Sequence, residues 1–238
     1  MKRLSIFIVG IMMAVVAMSR TFDMKQLGAD AKGIKSCTEL INRTIEKAAS
    51  EGGGTIYFPA GTYLTATIHM KSNITLYLES GAVLRFSDKF EDYLPFVTLR
   101  WEGTVMKSLS PLIYAHSADN VTISGRGTLD GNGLKWWLWE FDTRKVIKEN
   151  GGKLPALDKL QQMWVDANKN LEISDYYKPS LERRMFRPPF IQFYECTNIL
   201  IENVKIINSP FWTINPAFCD NVTIHGVTTV SYTHLRAH

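Results

Sequence analysis

A short motif recurs along the chain: Asn, a β-branched residue, Thr or Leu, then Ile or Leu. It reads Asn73-Ile74-Thr75-Leu76, Asn120-Val121-Thr122-Ile123, Asn198-Ile199-Leu200-Ile201 and Asn221-Val222-Thr223-Ile224. The last two copies are 23 residues apart and the first two 47, which reads as two periods. The middle gap of 78 contains residues 134–188, a stretch of 55 rich in Trp and charge that reads as a partly helical insertion, helical near Leu157 to Ala167; removing it leaves 23. A fixed period with one short strand motif per repeat specifies a solenoid. A period near 23 with β-branched strands fits an all-β, right-handed parallel β-helix with three short strands per coil, coils stacking about 4.8 Å apart. The 219 residues after position 19, less the insertion, allow roughly seven coils. The repeated Asn should form a ladder, because Asn tolerates the left-handed turn and stacked amides can bond one another. Alternate Ile, Val and Leu should fill the bore, each burial contributing roughly 1.5–3 kcal/mol.

Ahead of the repeats, Leu40, Ile41, Ile45, Ala48 and Ala49 form an apolar helical stripe that predicts a capping helix over the first coil. Ser36 and Glu39 read as its capping box, and Gly52-Gly53-Gly54 as its left-handed exit. Cys196 and Cys219 each stand two residues before a ladder Asn. They are expected at equivalent sites on neighbouring coils, as stacked buried thiols in preference to a disulfide, with Cys37 unpaired. Three Cys are too few for a disulfide scaffold, and their spacing with His matches no zinc site.

Lys2 and Arg3 precede an apolar run, Leu4 to Met18, with a small–x–small site at Ala17-Met18-Ser19. This is the pattern of a cleaved secretory signal over residues 1–19, too short to span a bilayer; a secreted or periplasmic protein is expected. Formal charge is +4 for the whole chain, from 27 basic and 23 acidic residues, which excludes a strongly basic nucleic-acid binder.

The runs GGGTIYFPAGTYL (residues 52–64) and SNITLYLESGAVL (72–84) resemble pectin-degrading β-helix enzymes. SGRGTLDGNGLKWW (124–137) and RPPFIQFYECTNILIENVKIINSPFWTINPAFCDNVTIHGV (187–227) narrow the resemblance to glycoside hydrolase family 28, the polygalacturonases. It covers about Phe22 to Val227. The resemblance implies a pectin-lyase-like solenoid that hydrolyses α-1,4-galacturonosyl bonds with inversion, on pectic polysaccharide or oligogalacturonide, as a monomer without cofactor or metal. Inverting hydrolysis needs two carboxyl groups some 6.5–9.5 Å apart, one as acid and one to activate water. The family draws its acids and its carboxylate clamp from four motifs, Asn–Thr–Asp–Gly, Asp–Asp, Gly–His–Gly and Arg–Ile–Lys. All lie beyond the stretch corresponding to Asn208–Trp212, and none is present here. No catalytic residue is therefore assigned. The chain is expected to be an incomplete β-helix over 20–230, with an out-of-pattern tail at 231–238, poor solubility and little hydrolytic activity of its own.

Three side chains are carried forward as substrate-binding candidates. Trp137 could stack on a sugar face or cement the insertion to the helix wall. Arg187 could pair with a uronate carboxylate or form a surface ion pair. Trp212 lies in the family motif, where packing beneath the cleft competes with sugar contact. Asp130, before Gly131, reads as a structural turn rather than an acid. The insertion holds 11 basic and 8 acidic residues, a surplus that would draw a polyanion toward a cleft wall. Two other functions share this scaffold. A calcium-dependent lyase would need an acidic cluster and a basic Arg that the sequence does not display. A non-catalytic carbohydrate-binding or structural β-helix would end in a cap.

Overall fold

The computed structural model describes residues 20–101, 103–152, 156–171 and 187–231. The expected signal over residues 1–19, two parts of the insertion (153–155 and 172–186) and nearly all of the tail lie outside these residues.

Among the described residues fifteen of the seventeen strands wind into a parallel β-helix with three faces. Sheet A stacks β1 (Thr21–Asp23), β3 (Gly54–Phe58), β6 (Ile74–Leu78), β11 (Asp119–Gly125), β14 (Thr197–Glu202) and β16 (Asp220–His225). Sheet B stacks β2 (Lys32–Ser36), β4 (Gly61–Thr65), β7 (Ala82–Phe86), β12 (Thr128–Asp130), β15 (Lys205–Ile207) and β17 (Thr228–Val230). Sheet C is shorter, with β5 (Ile68–His69), β10 (Ile113–His116) and β13 (Ile191–Tyr194), extended by bridges from Ile191 to Ile214 and from Tyr194 to Ala217. Every pairing within the three sheets is parallel and nearly all are in straight register, so one residue type occupies one row. Ile56, Leu76, Ile123 and Ile201 form one such row, all within the core. Tyr63, Leu84, Leu129 and Ile206 form its counterpart in sheet B.

The ladder is present. Asn73, Asn120, Asn198 and Asn221 all have φ between 53° and 62°. Asn120 donates to the side-chain oxygen of Asn73 at 2.9 Å, and Asn221 to that of Asn198 at 2.6 Å. Between them Asn198 turns to Asp119 Oδ1 at 2.8 Å, so the amide row is bridged there by a carboxylate.

Two expectations need correction. The 47-residue gap is not two coils: β6 pairs directly with β11, so it is one coil carrying an excursion. That excursion contains an antiparallel hairpin, β8 (Val97–Trp101) with β9 (Thr104–Ser108). It is as long as a coil and mimicked a second period. Sheets A and B therefore have six strands each among the described residues, not the seven coils expected. The capping helix α1 (Thr38–Ser50) is present with Ile41, Thr44, Ile45 and Ala48 buried, but its N-cap is Cys37 and no side chain caps it. Ser36 ends β2 and is spent on Thr38, whose hydroxyl in turn accepts the Ala66 N–H at 2.7 Å. The exit is as expected: Gly52 and Gly53 have φ of 97° and 118°, and the Gly53 N–H bonds Ala48 O.

The insertion opens with α2 (Leu134–Glu149), which the hydrophobic pattern did not reveal, followed by α3 (Lys159–Asn168). The latter carries a capping box of Asp158 and Gln161. Cys196 and Cys219 are free thiols on neighbouring coils, their pKa raised by burial, as is that of Cys37.

Candidate active-site cleft

Both excursions leave the tube at the corner between sheets B and C, on adjacent coils. The hairpin follows β7 and the helical insertion follows β12; each returns into sheet C. On the next coil the same corner is the short turn Asn208–Trp212. The corner thus carries two walls and then a step down.

The hairpin lies across the outer surface of sheet C. Gln192, fully buried on β13, donates to Arg100 O at 2.8 Å and accepts the Arg100 N–H at 3.2 Å. The Tyr114 hydroxyl donates to Thr98 O at 2.5 Å; burial raises the pKa of this phenol, which keeps it a donor. On the ribbon's other edge, Asn168 of α3 donates to Lys107 O and accepts the Lys107 N–H, both at 2.8 Å. Asn42 of α1 treats the free edge of β5 alike, donating to Thr67 O at 2.9 Å and accepting the His69 N–H at 2.8 Å. Strand edges carry unpaired N–H and C=O groups that cost free energy when covered without partners. Here three side-chain amides, each offering one donor and one acceptor, satisfy them without adding a strand.

The three candidate residues converge. Trp137, on the first turns of α2, donates its indole N–H to Ser209 O at 2.9 Å. The Arg187 guanidinium sits between two rings, 4.5 Å from the Trp137 centroid and 4.9 Å from that of Phe211, and donates to Pro210 O at 2.8 Å. Burial pulls its pKa below the usual guanidinium value. Phe211 then stacks on the hairpin's Trp101, 5.6 Å away and 10° from parallel, and contacts Trp212 at 4.4 Å. The turn after Asn208 is thus the point where hairpin, helix and coil are riveted together. In this arrangement Trp137 spends its indole N–H on the protein, which favours cementing the insertion over sugar stacking, while Arg187 is held by two rings and a carbonyl. Trp212 stands apart: half-buried, it lines an open depression of about 580 Å³ with Arg100, Thr213, Ile214 and Asn215.

Asp130 is a turn residue, as expected. Its Oδ1 accepts from the Asn132 N–H at 3.1 Å and from Asn208 Nδ2 at 2.8 Å, and Oδ2 lies 3.4 Å from Arg85. Among the described residues no three His, Cys, Asp or Glu side chains converge as a metal site, and no helix is long and apolar enough to cross a membrane. Sequence reasoning missed Arg100 and Gln192, which are 92 residues apart. The available signal was the alternating run Val97–Trp101, a Gly at 103, and the second alternating run Thr104–Ser108.

Comparison with known proteins agrees with this geometry. A probable polygalacturonase of Vitis vinifera is 28% identical over 77% of this chain and 31% of its own. An exopolygalacturonase of Thermotoga maritima superposes with a TM-score of 0.71 at 37% identity, covering 89% of this chain and 47% of its own. The family 28 exopolygalacturonase of Yersinia enterocolitica gives a TM-score of 0.65 at 25% identity over 91% of this chain and 40% of its own. The chain spans less than half the length of each of these relatives. The family described as rhamnogalacturonase A/epimerase, pectate lyase-like, matches residues 21–229. That match covers nearly the whole described β-helix, and the chain belongs to that family.

Proposed function

We propose that this chain supplies the substrate-positioning part of a pectin-degrading glycoside hydrolase acting on α-1,4-galacturonosyl bonds with inversion. The observation that carries the reading is the 37% identity with the Thermotoga exopolygalacturonase over 89% of the chain. The acid and base required by inversion are proposed to come from sequence outside these 238 residues, and the chain alone to hydrolyse little. Attack from a chain end is favoured: two excursions raise walls on adjacent coils at one corner, and walls at one side of a groove block a through-running polymer. Residues 1–19 are proposed as a signal that directs the protein, as a monomer, to the periplasm or exterior, where polymeric pectin is found.

The test is product analysis by the longer parent protein. Polygalacturonate should yield monomer or short oligomer early, with viscosity falling slowly, and proton NMR should show the inverted anomer first. A rapid viscosity drop overturns the exo mode, retention overturns the mechanism, and unsaturated products turn the assignment to a lyase. Amino-terminal sequencing of exported material should begin at Arg20.

A further inference from the structure

The hairpin's attachment fixes one residue more tightly than its surface position warrants. Gln192 has no solvent exposure and spends both ends of its amide on the main chain of Arg100. A buried amide left half-bonded is costly, so this pair holds the Arg100 backbone in place. Its side chain, by contrast, is exposed. Arg20, Arg43, Arg85 and Arg144 all lie beside carboxylates, Arg187 is enclosed by rings and Pro210 O, and Arg126, without an ion pair among the described residues, stands on the turn between β11 and β12. Arg100 has no carboxylate within ion-pair distance among the described residues. Its guanidinium rests 5.5 Å from the Phe218 centroid and borders the depression lined by Trp212, Thr213, Ile214 and Asn215.

We infer that Arg100 is a specificity-determining residue that binds the carboxylate of a hexuronate unit in this depression, with the Gln192 amide as its positioning partner. A guanidinium presents paired N–H donors that match a carboxylate's two oxygens. The half-buried Trp212 offers an apolar face to the C–H side of a pyranose. Asn215, facing outward on the same coil, has a donor and an acceptor for ring hydroxyls. A neutral sugar would satisfy the indole and amide but leave the guanidinium without its partner. The site should therefore discriminate acid from ester. Galacturonate as the particular uronate rests on the function proposed above; the carboxylate contact does not.

The experiment titrates the 238-residue chain with trigalacturonate, its methyl ester and trimannuronate, reading tryptophan fluorescence and calorimetry. Wild type is expected to bind the acid at least about tenfold more tightly than the ester. Arg100→Met should lose that preference, and Arg100→Lys should recover part of it. Gln192→Leu should weaken acid binding more than ester binding, since it frees the backbone that aims the guanidinium. Unchanged circular dichroism and melting for Arg100→Met shows that the loss is not misfolding. Equal acid preference in wild type and Arg100→Met overturns the inference and leaves the pectin reading standing. Arg100-dependent binding of trimannuronate without trigalacturonate sustains the inference and removes the pectin reading. Absence of binding to all three overturns the inference, and the pectin reading then stands or falls on the product analysis of the parent protein.

Discussion

Sheet A and the corner between sheets B and C are built from the same coils under opposite rules. On sheet A the four rungs from β6 to β16 repeat one another, with Asn at the turn and Ile, Leu or Val inward, and the register runs straight from Thr21 to His225. At the corner, three successive coils insert a hairpin, a helical segment and a five-residue turn. The first region gains stability by adding equivalent layers, the second by long-range contacts made once each. Mutations on the ladder should therefore unfold the whole tube, and mutations at the corner should release a wall and leave the tube intact.

The largest effect should come from Gly125→Val. Gly125 has φ of 115°, and a Cβ there would lie 2.0 Å from Leu78 O on the neighbouring rung. Strain and backbone displacement together should cost about 4 kcal/mol or more, lowering the urea midpoint and amide protection throughout sheets A and B. Arg187→Ala should cost less, about 2–3 kcal/mol. It removes two cation–π contacts and the bond to Pro210 O. Its signature should be local: faster proteolysis within α2 and α3 while ladder amides stay protected. Equal loss of protection in sheet A would erase the distinction between the two regions.

Gln192→Ala comes next, at about 1–3 kcal/mol, because the Arg100 N–H and C=O would lose their buried partner. Cleavage between Val97 and Ser108 should rise, with little change in the melting of the coils. Asn198→Ala tests the ladder at the rung bridged by a carboxylate. An Ala at φ of 55° costs roughly 1–2 kcal/mol and removes the acceptor of Asn221. The loss should appear as a shift of a few degrees in one cooperative melt.

The same contrast explains what could be read from the chain. Ladder residues reveal themselves because each is local: Asn needs only its own turn, and the inward Ile only its own rung. Even so, periodicity misleads where an excursion matches the coil in length, which is why the stretch from Asn73 to Asn120 reads as two coils and folds as one. The Ser36–Glu39 box failed for a related reason. Its spacing fits a helix start, but Ser36 is held in β2 by pairing with Leu64, and that tertiary demand outranks a local cap. Trp137, Arg187 and Trp212 were found through motif resemblance, yet their grouping about Phe211 depends on how α2 and the hairpin fold back. Arg100 carries no motif at all: its significance arises only when Gln192 and Asn215, on later coils, come to lie beside it.

The smallest expected effect lies on sheet C, beneath the walls. His69 stands at the first rung of that sheet, its ring edge-on to Tyr114 at 5.8 Å. Burial lowers its pKa from 6.5, nearby Lys71 lowers it further, and Glu46 opposes both. A base whose folded pKa lies below its unfolded one is charged more readily in the unfolded chain. Its contribution is complete above pH of about 6.5 and diminishes as pH falls from there toward the folded pKa, where it levels off. Unfolding free energy should therefore decline between pH 7 and 5, by less than the Asn198→Ala loss. His69→Gln should flatten that part of the profile. An unchanged slope in the variant would mean that sheet C is as open to water at its first rung as the ladder turns of sheet A, and that the walls cover less of it than the hairpin's bonds imply.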